Sequence, residues 1–376
     1  MSLRTLLFLG LFVVCTVGAL YAPLLGVLGY VAHYMIGPQR QWWEAAIQHW
    51  GLRYSFMLAA ATALGIVLNW RRLRYGRRFF TRHEWWMLVF LGIVWLSTLL
   101  TEATEGRYEA DFADHPSLKL TKVLLFALMM THVVTTFRSL NALFWVLVLS
   151  ALILGLQAYS TPYGSFVSGR LESVGGPDFS DANRLAGCLA GMFFIVGVQF
   201  VRSGWMGRVV TFLAGGFVAN GIVLTRSRGG AAGVAAGGLV ALLLAPKRYR
   251  GLIVLGLLLA GLGWLYLSDP QFISRTGTIL DDADQMDVSA TSRLEIWSGA
   301  WQMIGDHPLG VGAGNFYQNI GDYATNHPGR DAHNTLLRCA GELGWIGIAL
   351  VLWVVVSAVL VLRRCVRDAE SLSPPR

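Results

Sequence analysis

Three short stretches hold polar side chains that a hydrophobic chain would carry only at a cost. "TRSRGG" (225–230) offers Arg226 and Arg228, followed by small residues that let a ligand or a neighbouring helix approach closely. "TSRLEIWSGAWQMI" (291–304) offers Arg293. "RDAHNTLLRCAGELGWIG" (330–347) offers His333 and Asn334 at a helix start, then Arg338 and Glu342 four residues apart on one helical face. Guanidinium groups suit planar, bidentate contacts with phosphate, and an imidazole suits taking a proton from a hydroxyl. Contact with a phosphate and removal of a proton from a hydroxyl are the chemistries that these residue types would serve. "SGRLESVGGPDFSDANRLAG" (168–187) brings Arg170, Asp181, Asn183 and Arg184 to the same outer face, where individually they would be ordinary loop and cap residues.

Each of these residues also has a plainer role. Arginines snorkel at helix ends, Asp181 or Asp331 would cap a helix, a histidine at a helix start is commonly just hydrogen-bonded, and Glu342 would neutralise Arg338. Position is what favours chemistry, because polar groups beside hydrocarbon are costly unless paired or used.

The elements that must position these groups are membrane helices. Of the 376 residues, 55% are hydrophobic and only 14% charged, whereas soluble domains are about one quarter charged. Apolar stretches at 52–69, 84–101, 118–137, 139–159, 183–201, 207–225, 229–245, 250–267 and 344–362 each approach the ~20 residues needed to cross ~30 Å of hydrocarbon. Period-2 alternation is missing, which argues against an outer-membrane barrel. Residues 5–36, with Pro23 in the middle, form either one tilted or broken crossing or a span followed by a re-entrant piece. No A-x-A site follows closely, so an uncleaved first helix is expected. Cys15, Cys188, Cys339 and Cys365 are scattered and match neither a disulfide framework nor a zinc pattern.

The net charge of +8 is a topology signal, and no nucleic-acid partner is expected. Basic groups lie at 71–82, at Arg202 and Arg208, at 247–250 and at 363–367, while 101–114 and 269–287 are acidic. Basic loops face the cytoplasm. Segments 37–51, 101–117, 160–182 and 268–333 then face outward, with both termini inside if 5–36 crosses once. Arg226 and Arg228 fall on the outward side, where this rule does not put them. "WWEAAIQHW" (42–50) has the pattern of a short interfacial helix. Leu294, Trp297, Trp301 and Ile304 mark one face of an amphipathic helix resting on the membrane. "GDHPLGVGAGNF" (305–316) lacks the strand–helix context of a nucleotide loop and is expected to turn at the membrane surface, with His307 structural. "DDADQMD" (281–287) lacks the glycine and terminal glutamate of a calcium loop and is expected to be solvated. The chain divides into N-terminal helices (1–160), a region carrying the candidate site (161–362, with loop 268–333) and a tail (363–376).

The order "DAN…LA", "TRSRGG", "SRLEIW…HPLGVGAGNF" and "HN…GELGWIG" resembles the O-antigen ligase and O-antigen polymerase superfamily over roughly residues 165–362, most strongly across 220–347. "RDAHN" is also similar to the O-glycosylation ligases associated with exosortase systems. The resemblance implies an all-α, polytopic glycosyltransferase of the GT-C type with about 10–12 transmembrane helices. It implies a bacterial inner-membrane protein whose active site faces the periplasm and which uses neither metal nor cofactor. The donor would be a glycan on undecaprenyl diphosphate, and the acceptor lipid A–core, a protein or another glycan. The family's essential arginines and histidine map onto Arg226 or Arg228, Arg293 and His333. Asn334 and Glu342 would position the acceptor, and Arg170 and Asn183 would bind substrate. Arg338 departs from the family pattern. A repeat-unit polymerase differs only in its acceptor. From another class, a lipid-linked sugar transporter or flippase would also need arginines. It would spread charge through the membrane, however, whereas 84–101, 118–137 and 229–245 are nearly free of it.

Overall fold

A computed structural model describes residues 2–73, 80–101, 115–167, 169–267 and 288–371. The run 281–287 and nearly all of the acidic stretch 101–114 lie outside the described residues. So does the middle of the basic stretch 71–82.

The helices are α1 (Leu3–Tyr21), α2 (Pro23–Ile36), α3 (Tyr54–Leu68), α4 (Trp70–Leu73), α5 (Arg82–Leu100), α6 (Pro116–Val133) and α7 (Phe137–Ser160). They continue with α8 (Ala182–Arg202), α9 (Trp205–Leu224), α10 (Arg228–Leu244), α11 (Lys247–Leu267), α12 (Val288–Asp306), α13 (Phe316–Tyr323) and α14 (Thr335–Ser371). Among the described residues there is no strand, only an isolated bridge between Val167 and Arg170. By length and composition α1, α5, α7, α8, α9 and most of α14 can each cross a membrane, and α3 and α10 are shorter apolar helices. Their outer faces carry side chains such as Phe56 (69% exposed) and Phe212 (70%), a surface suited to hydrocarbon. The chain is therefore an all-α, multi-pass membrane protein.

Helix starts follow local chemistry. Thr81 with Glu84 and Thr136 with Ser139 form reciprocal capping boxes at α5 and α7, and the side chains of Asp181 and Ser227 cap α8 and α10.

The helices group into two compact units that alternate along the chain. One comprises Met1–Leu73 with Met129–Gly277, the other Arg74–Leu128 with Thr278–Arg376. The first has its core between α7, α8 and α9, where Val148, Leu154, Leu185, Leu189, Val196 and Val218 are buried together. Small residues set the spacing: a side chain at Gly221 would meet Leu189 at 3.0 Å and Ala158 at 3.5 Å.

Residues 5–36 form a helical hairpin. Pro23 occupies the first turn of α2 and ends α1 at Ala22. Gly26 then packs against Ala19, and Gly29 against Cys15, so α2 folds back along α1. Thr5 Oγ1 donates to the Trp43 carbonyl (2.8 Å), and Arg40 Nη2 donates to the Pro177 carbonyl (3.1 Å). At the other end, Asn69 Nδ2 donates to the Leu20 carbonyl (2.9 Å). The start of α1 therefore lies at the same end of this unit as loop 160–182. The single crossing that would put both termini inside does not form. Residues 42–50 are not an α-helix either. They make successive turns ending in a 3-10 turn, Gln48–Trp50. Ile47 N–H donates to the Glu44 carbonyl (2.8 Å), three residues back, and the Trp43 carbonyl that an α-helix would offer it accepts from Thr5.

In the second unit α12 packs against α13 and the start of α14, and Ile296, Ala300, Met303, Ile304, Phe316, Ile320 and Ala340 are buried together. The inward face of α12 differs from the expected one. Trp297 and Ile304 point in, but Leu294 (51% exposed) and Trp301 (52%) point out. The reason is that α12 contacts two elements: Gly299 lies against the Tyr323 backbone, and Trp297 Nε1 donates to the Ala332 carbonyl (2.7 Å).

α14 is broken at Gly344, whose backbone (φ 64°, ψ −158°) is non-helical. The glycine-rich loop 307–315 satisfies the groups that the break releases. Val311 N–H donates to the Gly341 carbonyl (2.9 Å), Gly312 N–H to the Glu342 carbonyl (3.0 Å), and Trp345 N–H to the Pro308 carbonyl (3.1 Å). A side chain at Gly344 would strike the Pro308 carbonyl, and one at Gly310 would strike the Glu342 carbonyl. The loop is thus a clamp on a broken helix. Gly344→Ala is expected to lower stability by about 1–3 kcal/mol from backbone strain alone, with more from the collision. A fall in Tm of the detergent-solubilised protein reads this out, and an unchanged Tm would refute it.

Candidate functional site

In the first unit the turn between α9 and α10 is held from two sides. Arg170 donates through Nε to the Thr225 carbonyl (3.0 Å) and through Nη2 to Asn183 Oδ1 (2.8 Å). Ser227 Oγ donates to the same Asn183 oxygen (2.9 Å) and caps α10 by accepting from the Gly230 N–H (3.1 Å). Leu171 N–H donates to the Leu224 carbonyl (3.0 Å), which adds a backbone attachment beside Arg170. Arg226 is half-buried at the apex of the turn, with Arg228 opening α10. Gly169 leaves room for the Arg226 guanidinium, since a side chain there would lie 2.9 Å from Arg226 Nη1. The sequence-chosen residues Arg170, Asn183 and Arg226 therefore meet. Arg170 and Asn183 spend hydrogen bonds on the scaffold, while Arg184 is exposed at the capped start of α8.

In the second unit a polar chain runs from Glu342 to His333. Glu342 is buried, accepts from Arg338 Nε (2.9 Å) and takes the Gly314 N–H. Arg338 Nη1 donates to Tyr317 Oη (2.9 Å), and its guanidinium lies over the Tyr317 ring, 4.8 Å from the centroid. Tyr317 donates to Asp331 Oδ2 (3.0 Å), and Asp331 Oδ1 accepts from the His333 N–H (3.3 Å). The α14 cap is Asn334, not Asp331: its Oδ1 accepts from the N–H groups of Leu336 (3.0 Å) and Leu337 (3.4 Å). Arg293, near the start of α12, has a buried Nε with no hydrogen-bond partner among the described residues. A buried donor in that state is suited to an incoming acceptor.

Backbone strain picks out two of the same residues. Among the described residues only Ser173, Arg226 (φ 48°) and His333 (φ 47°) are non-glycines in the left-handed region. Such conformations cost roughly 1–3 kcal/mol and collect at functional positions. Sequence reasoning missed Thr225, Ser227 and Tyr317. The "TRSR" run contained the first two, but nothing marked them as scaffold, and Tyr317 carried no signal at all.

These features define a class: a polytopic helical membrane protein with strained arginine and histidine positions beside capped helix starts. Residues 213–352 match the family model described as O-antigen ligase. This match, over fewer than half of the residues, supports the O-antigen ligase and polymerase superfamily as the chain's family, and with it an enzyme of glycan transfer. The matched segment contains Arg226, Arg228, Arg293, His333, Asn334 and Glu342, whereas Arg170 and Asn183 precede it. No curated protein and no solved structure matches the chain.

Proposed function

We propose that the protein transfers a glycan from an undecaprenyl-diphosphate carrier to an acceptor hydroxyl on the periplasmic side of a bacterial inner membrane. The observation that carries this reading is that one family match spans both strained positions, Arg226 and His333. In the reaction the acceptor oxygen attacks the anomeric carbon from the side opposite the carrier. The bond to the diphosphate breaks, its electron pair leaves with the diphosphate, and the centre inverts. His333 takes the proton of the attacking hydroxyl. Arg226, Arg228 and Arg293 stabilise the charge gained by the leaving diphosphate. Asn334, Glu342, Arg170 and Asn183 act as positioning residues, through the helix cap, the Arg338 pair and the α9–α10 turn.

The test is release of carrier diphosphate by the purified protein, with and without acceptor. Acceptor-dependent release supports transfer, and the acceptor that works separates a ligase from a repeat-unit polymerase. Carrier binding without release, for every acceptor tried, would overturn the reading in favour of carrier transport.

Tyr317→Phe gives a finer check. It removes the hydroxyl linking Arg338 to Asp331 and should slow release roughly tenfold, by misplacing His333, while carrier binding is unchanged. Stability should fall by only about 1 kcal/mol, the worth of a hydrogen bond. An unaltered release rate would show that this chain does not position His333.

A further inference from the structure

At the end of the first unit away from Arg226, α7, α8 and α9 surround a cavity of about 410 Å³. Asn141 and Trp145 line it from α7, Gln199 and Arg202 from α8, and Trp205 and Met206 from α9. α8 rises roughly 24 Å between Asn183 and Gln199. The cavity therefore belongs to the opposite membrane boundary from the arginine cluster and is separate from it.

Gln199 is 1% exposed. Its Nε2 donates to Asn141 Oδ1 (3.2 Å), but its Oε1 is buried with no partner among the described residues. An amide oxygen held away from water calls for a donor. Arg202 is exposed at the rim, and its guanidinium is held over the Phe137 ring, 4.6 Å from the centroid. Trp205 (75% exposed) and Met206 (68%) present apolar surface at the mouth. The cavity thus combines a buried, incompletely partnered amide in its lining, a cation at the rim and an apolar border, an arrangement suited to an amphiphile that carries a phosphate and a terminal donor.

We propose that this cavity binds the headgroup of a phospholipid from the leaflet on the basic-loop side. The phosphate pairs with Arg202, and a terminal ammonium or hydroxyl donates to Gln199 Oε1. The inference does not rest on the glycan-transfer reading.

Binding to the full-length protein in detergent would be titrated with four probes. They are short-chain phosphatidylethanolamine, phosphatidylglycerol, phosphatidylcholine and free phosphoethanolamine. The ethanolamine or the glycerol lipid should bind saturably, and whichever binds tighter identifies the donor. Phosphatidylcholine, whose quaternary ammonium cannot donate, should bind roughly tenfold more weakly, as should the best lipid to Arg202→Gln. Equal binding of phosphatidylcholine would overturn the role of Gln199, and undiminished binding by Arg202→Gln would overturn the phosphate contact. Phosphoethanolamine binding as tightly as the lipid would replace a lipid by a soluble phosphate ester. Arg202 is exposed, so its variant should fold, and the comparison between lipids needs no variant.

Discussion

Carrier release by His333→Ala is expected to run roughly 10²–10⁴-fold slower than by the unaltered protein, the loss that follows removal of a positioned general base. Carrier binding should persist, because the proposed diphosphate contacts lie elsewhere. The local fold should also persist. Asn334 caps α14 with its own side chain, and Trp297 holds the Ala332 carbonyl. His333→Gly is the sharper variant. His333 occupies φ 47°, where glycine is unstrained and most residues are not. The glycine protein should therefore melt no lower than the parent while losing release to the same extent. Full release by either variant would remove His333 as the base.

Arg226→Ala and Arg228→Ala are each expected to slow release roughly 10²–10³-fold, the usual result of deleting a group that stabilises charge in the transition state. The loss should fall on kcat more than on KM if the arginine acts on the departing diphosphate, and on KM alone if it only binds the carrier. Arg226→Gly separates charge from fold, because Arg226 is also left-handed (φ 48°) and glycine relieves that strain. A protein of unchanged Tm that cannot release carrier would place the requirement on the guanidinium. Arg228→Ala leaves the Ser227 cap of α10 intact, and its Tm measured beside its release rate separates a catalytic loss from a folding one. If both variants release carrier at the parental rate, the proposed stabilisation is wrong.

The membrane architecture was legible in the sequence because it depends on local composition. A run of about 20 apolar residues has few places to go but across a bilayer. An Asp before such a run caps its helix without help from distant residues, as Asp181 does. The polar residues worth examining were legible for the same reason. Arg226, Arg228, Arg293 and His333 stand out in a chain with 14% charge, and two of them proved to hold strained backbone.

What depended on distant contacts was not legible. Whether residues 5–36 crossed once or folded back turned on Gly26 meeting Ala19 and Gly29 meeting Cys15. A single sequence does not show that complementarity between two apolar helices. Residues 42–50 have a helical pattern, yet they fold as successive turns whose Trp43 carbonyl accepts from a hydroxyl 38 positions away. The inward face of α12 was only half legible, because amphipathic patterning assumes water on the other side, whereas Leu294 and Trp301 stay exposed on a membrane protein.

By itself, then, the sequence determined the long apolar helices and the side chains able to meet a phosphate or a hydroxyl, since these follow from composition and short-range spacing. Only the tertiary structure decided what those side chains lean on. Tyr317 joins Arg338 to Asp331, Ser227 shares Asn183 with Arg170, and the glycines of 310–314 close over the break at Gly344. Each of these contacts is made by groups that local sequence treats as unrelated. Each forms because a buried polar group must find its partner wherever the fold supplies one.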